Sequence, residues 1–190
     1  VSLGDFSYGR FNTLEYRAGV ERELDRRNKI TNNNHYTLKG NHDSATYGWT
    51  ELEYYVKKGL IKPAENIQLG SLNVSMVDYG QHNKTQIIAP TEETINVVLA
   101  HDFFKFKDTP LPDYGESKIL DEMEQWFGVD WLICGHIHGL HMFQGIVIKD
   151  NISHPMVVAY PGCMPRPAYR EGFMQEVGQL ILFTVYADGN

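Results

Sequence analysis

The chain has 190 residues, is 42% hydrophobic and 12% aromatic, and carries 17 basic against 24 acidic side chains, a formal charge of -7. That is enough apolar material for one substantial core, and it excludes a disordered tail, a collagen-like fibre and a coiled coil. The acidic balance excludes a generally basic nucleic-acid coat and leaves room only for a local basic groove.

In chain order, residues 1–3 read as a short strand that stops at Gly4-Asp5. Residues 11–27 carry a helical pattern with Thr13 as a candidate cap and charges on the outer face. A strand over 36–38 runs directly into Gly40-Asn41-His42-Asp43, and a helix is expected over 49–58. Alternation over 67–88 predicts two or three antiparallel strands, and 95–99 is a clean buried strand ending at Ala100-His101-Asp102. Residues 116–127 place Ile119, Leu120, Met123, Trp126 and Phe127 on a stripe closed by Gly128, which predicts a helix. A further buried strand over 131–134 ends at Gly135-His136-Ile137-His138-Gly139, and strands are expected over 142–148, 156–160 and 179–186. Strands feeding helices without a linker or repeat predict a single α/β domain.

No apolar run approaches the ~20 residues of a membrane helix, and no secretory leader is visible. Cys134 and Cys163 form neither a CxxC pair nor a disulfide framework. Two reduced, packed thiols and a cytoplasmic location are the corresponding expectations.

Chemistry gathers at the strand ends. Asp5, Asn41-His42-Asp43, His101-Asp102 and His136-x-His138 each follow an apolar strand, and ligands of open α/β sheets collect at the carboxyl edge. Carboxylate, imidazole and amide oxygen together suit a borderline divalent ion such as manganese, iron or zinc rather than magnesium or calcium. Two histidines two apart point opposite ways in extended chain, so His136 and His138 need a turn, which Gly135 and Gly139 permit. Each of these signals is ordinary turn chemistry by itself; their joint occurrence is not.

Gly40-Asn41-His42-Asp43 together with Gly135-His136-Ile137-His138 resembles the calcineurin-like metallophosphoesterases. Gly4-Asp5 matches the bridging-aspartate motif of that family, and His101 falls where its intermediate histidine lies, with Ala100 replacing the preferred glycine. The resemblance runs from residue 1 to about residue 140. It implies an α/β four-layer sandwich of two mixed sheets flanked by helices, and hydrolysis of a phosphate ester by a metal-bound hydroxide. Carried over by position, Asp5 bridges two divalent ions, manganese first with iron or zinc as alternatives. Asn41, His101 and His136 complete one site, and His138 serves the other. His42 faces the substrate, stabilising the transition state or protonating the leaving oxygen, with Asp43 behind its ring.

The Asp-x-His motif that opens the family pattern does not occur in this chain. The reading therefore expects a catalytic domain over 1–190 lacking its first strand and helix, a half-built second metal site, and no capping domain. An N-terminal companion fragment is one way to complete it. Ala159-Tyr160-Pro161-Gly162-Cys163-Met164-Pro165-Arg166 is similar to the Tyr-Pro-Gly-Ser segment of the SbcD-like DNA nucleases, with Cys163 in place of serine. That likeness implies DNA as substrate, exo- or endonuclease action in DNA repair or recombination, a homodimer and a coiled-coil ATPase partner. Phe103, Lys105, Arg166 and Arg170 are the candidate substrate-binding residues, since aromatics interleaved with cations stack bases and pair with phosphates. Two alternatives stand beside this reading: a phosphoesterase on a nucleotide, phosphoprotein or other small ester, and a non-catalytic metal-binding or interaction module.

Overall fold

A computed structural model describes residues 1–5, 14–43, 49–91, 93–111, 117–137 and 139–162. A first helix, α1 (Leu14–Thr31), precedes a short strand, β1 (Tyr36–Thr37), and a second helix, α2 (Trp49–Lys57). Then follow β2 (Lys62–Pro63), β3 (Ile67–Leu69), β4 (Leu72–Val77), β5 (Ile95–Ala100), β6 (Phe104–Lys105) and β7 (Lys118–Ile119). The described chain closes with β8 (Trp131–Cys134), β9 (Leu140–Lys149) and β10 (Ile152–Pro161).

Six strands form one mixed sheet in the order β3-β4-β5-β8-β10-β9. The four inner strands are mutually parallel, in register through Val74↔Val97, Val98↔Leu132 and Leu132↔Val158, while β3 and β9 flank them antiparallel. Parallel strands are covered on both faces, and the apolar runs Ile-Asn-Val-Val-Leu-Ala and Trp-Leu-Ile-Cys meet that demand. Val98, Ala100, Leu132, Cys134 and Val158 pack on one side with Phe103, Phe104 and Trp126. Val97, Leu99 and Ile133 pack on the other with Leu38 and Met76. A separate cluster of Leu24, Leu52, Tyr55 and Ile61 joins the two helices. Two two-stranded parallel sheets, β1-β2 and β6-β7, accompany the large one. The mixed α/β architecture expected from the sequence is thus the architecture found.

Four local readings need correction. Of the expected helix over 116–127, the described residues 117–127 are not α-helical. Lys118 and Ile119 pair with Phe104 and Lys105, and two 3₁₀ turns follow, Leu120–Glu122 and Glu124–Trp126. The physical reason lies in the buried set, Leu120, Met123 and Trp126. These are spaced by three, and side chains at i and i+3 eclipse in a 3₁₀ turn but drift round an α-helix. The span 67–88 holds two antiparallel strands as expected, β3 and β4, but they end at Val77; residues 78–90 are turns and irregular chain, and β4 also pairs parallel to β5. The first helix runs to Thr31 rather than residue 27. Glu23–Arg27 and Asp25–Lys29 ion pairs carry it onward, and Asn32 and Asn33 end it at positive φ (50° and 61°). Residues 1–3 make a single bridge, Ser2 to Thr37, rather than a strand. The expected strand over 179–186 lies outside the described residues.

Candidate metal centre

Because β4, β5, β8 and β10 run the same way, their carboxyl ends share one edge of the sheet. The tips of β5 and β8 are neighbours there, with Ala100 opposite Cys134, so His101 and His136 emerge side by side. Their rings lie edge to face with centroids 5.4 Å apart. Leu38 donates its N–H to the Ser2 carbonyl (2.9 Å), which aligns the chain entering Asp5 with the chain entering Asn41. The four donors therefore reach one point from four separate segments.

The geometry at that point is specific. The Asn41 Oδ1 lies 3.0 Å from His101 Nε2 and 3.1 Å from His136 Nδ1. The Asp5 Oδ2 is 3.4 Å from His101 Nε2. With the Asn41 oxygen inward, these atoms turn only lone pairs toward one another. Turned over, the same amide brings its NH₂ to 3.0 Å from His101, 3.1 Å from His136 and 3.3 Å from both Asp5 oxygens. Carboxylate, amide and two imidazoles thus surround a single position suited to a positive group, and the donor chemistry fits a borderline divalent cation. Among the described residues no group of three or more His, Cys, Asp or Glu is placed to hold a metal ion by itself; the set described here is one carboxylate, two histidines and an amide, and His138 lies outside the described residues.

Local bonds set the donors' states. The Nδ1 of His101 donates to the Leu3 carbonyl, leaving the lone pair on Nε2, the atom that faces the cluster. Burial opposes charge on both His101 and Asp5. Their mutual pairing outweighs it, holding the Asp5 carboxyl below the usual carboxylate range and raising His101 above its ordinary value. His42 donates its backbone N–H to Asp5 Oδ1 (2.9 Å), and Gly40 donates its N–H to Asp43 Oδ2 (2.9 Å), closing the Gly40-Asn41-His42-Asp43 turn. Asp43 is fully buried and His42 half-buried.

Close approach explains two glycines. A Cβ on Gly40 would collide with the backbone nitrogen and Oδ1 of Asp5, and one on Gly135 would meet the Leu3 carbonyl and lie 2.7 Å from His101 Nδ1. Gly135 therefore provides room rather than the turn conformation read from the sequence. The turn itself is made by His136, whose φ is +80°.

Of the candidate substrate residues, Phe103 is 1% exposed and packs against Tyr160 in the core (centroids 6.4 Å). Its ring is closed to a base, because it packs in the core cluster that includes Leu120, Met123 and Trp126. Lys105 is half-buried on β6. Arg166 and Arg170 lie outside the described residues.

Three further groups at this edge escaped the sequence reading. Tyr79 lies 6.1 Å from His136 and 6.2 Å from His101 between ring centroids. Asp78 accepts the Lys39 N–H (2.7 Å), and burial raises its carboxyl above the usual range. His82 Nδ1 lies 3.2 Å from Asp102 Oδ2. The signal was present: Val77-Asp78-Tyr79-Gly80 is another apolar strand ending in a polar tip. The expectation of two or three antiparallel strands over 67–88 obscures it.

The fold and edge cluster define a mixed α/β protein with carboxylate, amide and imidazole donors at parallel strand ends. The family model for calcineurin-like phosphoesterases matches residues 1–140, and the chain belongs to that family. Membership carries metal-dependent phosphoester hydrolysis as the class of chemistry. No curated protein matches the chain significantly. Among the described residues no helix is long and apolar enough to cross a membrane.

Proposed function

We propose that this chain hydrolyses phosphodiesters of DNA, with Asp5, Asn41, His101 and His136 holding one divalent ion and Asp5 shared with a second ion that His138 serves. The observation that carries the metal reading is the convergence on Asn41: a carboxylate and two imidazole nitrogens meet one amide within 3.0–3.3 Å. A divalent ion there supplies Lewis-acid polarisation of the phosphoryl group and of the attacking water. The remaining work falls to the chain. The Leu3 carbonyl keeps His101 in the tautomer whose Nε2 faces the site. The His42 N–H orients Asp5, and the His42 ring, carried on the same turn, gives a proton to the leaving oxygen as the ester bond breaks. Support for DNA is the likeness of Tyr160-Pro161-Gly162-Cys163 to the SbcD-like nucleases.

The test is Mn²⁺ titration of the purified chain alongside degradation of linear DNA. Asn41→Ala is expected to lose both Mn²⁺ binding and activity, and His42→Ala to keep Mn²⁺ while activity falls at least 100-fold. Hydrolysis of an aryl phosphate diester with DNA untouched would replace DNA by a small ester. Neither activity at any Mn²⁺ concentration would make the chain an interaction module and overturn the reading.

A further inference from the structure

The tip of β4 takes part in the edge cluster although it carries none of the donors. Tyr79 donates its N–H to the Lys39 carbonyl (2.8 Å), and Asp78 accepts the Lys39 N–H (2.7 Å). Residues 78–79 are thereby tied in both directions to the chain that enters Gly40-Asn41. The Tyr79 ring, carried on that tied backbone, stacks over His136 with an interplanar angle of 26° and meets His101 edge-on at 74°. His101 and His136 in turn meet at 80°, so the three rings pack as one set. Three donor segments, those of Asn41, His101 and His136, thus share Tyr79 as a neighbour.

The reason such a neighbour matters is torsional. The χ2 angle of histidine joins an sp³ to an sp² carbon and has broad, roughly two-fold wells, so packing decides which ring atom faces a given point. A flat face parallel to an imidazole restricts that angle. We propose that Tyr79 is a positioning residue of the metal centre, its ring face setting the plane of the His136 imidazole so that Nδ1 stays directed at Asn41. This inference rests on the metal-centre reading above. It concerns the face of the ring, so phenylalanine should serve as well as tyrosine.

The experiment compares wild type, Tyr79→Phe and Tyr79→Leu in two measurements. Direct Mn²⁺ titration should show affinity down about tenfold or more in Tyr79→Leu, the scale expected for residues that support metal ligands, and unchanged in Tyr79→Phe. In the metal-free chain, histidine side-chain NMR should show His136 ring protons moving downfield in Tyr79→Leu as the ring current is lost, and staying in place in Tyr79→Phe. Wild type itself should show cross-relaxation between Tyr79 and His136 ring protons, a reading independent of whether Tyr79→Leu folds. Absence of that cross-relaxation would overturn the inference. So would Tyr79→Leu binding Mn²⁺ like wild type, or Tyr79→Phe losing as much as Tyr79→Leu. Wild type that binds no Mn²⁺ would overturn the metal-centre reading and this inference together; normal wild-type binding with no effect of Tyr79→Leu would overturn this inference alone.

Discussion

Asp5 and His136 sit at φ of 53° and 80°, in the left-handed region where a side chain with a Cβ costs of order 1–3 kcal/mol. They are held there by the contacts that make the cluster: His42 N–H on Asp5, Asn41 and Tyr79 on His136. Room for this arrangement comes from the residues beside it. At Gly40 a Cβ would run into Asp5 backbone, which has no rotamer to retreat to. Gly40→Ala is accordingly expected to destabilise the fold by about 1–3 kcal/mol and to displace Asp5 from the cluster. Urea denaturation and Mn²⁺ titration together check it; a variant with the wild-type midpoint and affinity would contradict the close-approach argument. Residue types at this scale were readable from the sequence, since Asn41, His101 and His136 stand directly after apolar strands. Tyr79 was not, because an aromatic residue after a strand looks the same whether it faces core, solvent or ligand.

The elements that carry the cluster are joined by a few buried bonds. Tyr160 on β10 both accepts the Phe104 N–H and donates to the Phe104 carbonyl, each at 2.7 Å, with both residues fully buried. This one hydroxyl satisfies both backbone groups of β6 at that position, and burial pushes its own ionisation far above the ordinary tyrosine range. Tyr160→Phe leaves both groups unpaired, so a loss of about 1–3 kcal/mol or more is expected. A chemical-denaturation midpoint equal to wild type would show that this bond pair does not hold β6 to the sheet. Element identity was legible where one period dominated, as in the buried strands β5 and β8. It failed at 116–127, where Leu120, Met123 and Trp126 satisfy both a three-residue and a 3.6-residue reading. The pairing of Lys118-Ile119 with Phe104-Lys105 takes up the start of that span, and the three-residue spacing is then realised in the 3₁₀ turns that follow. Packing in the core cluster with Trp126 and Tyr160 buries Phe103, which the sequence alone offered as a surface for bases.

At the scale of the whole molecule, stability should depend on pH through His35. The ring is buried, with Ser2 Oγ at 3.0 Å from Nε2. Burial, with nearby Arg27 adding, lowers its pKa below the ordinary 6.5. A histidine depressed in the folded state binds its proton more readily when unfolded. Its contribution is therefore complete above about pH 6.5 and is lost as pH falls through the folded-state value. The difference in urea midpoint between wild type and His35→Gln should shrink from pH 8 to pH 5.5; a constant difference would show that His35 titrates alike in both states. Comparing the two proteins at each pH removes the opposite trend of His101, whose raised value favours the folded state at low pH.

What the sequence by itself determined is the chemistry and the class. Apolar strands ending in Asp, Asn and His give the donor types, and alternation of strands with polar tips gives a mixed α/β sheet, because both are properties of neighbours along the chain. What only the tertiary structure decided is adjacency. The β5-β8 pairing sets His101 beside His136, and the bridge through Ser2 brings Asp5 to Asn41. The turn of β4 back to Lys39 places Tyr79 against two imidazoles. These are contacts between residues tens of positions apart, fixed by strand order and register, and no local pattern encodes which strand lies next to which.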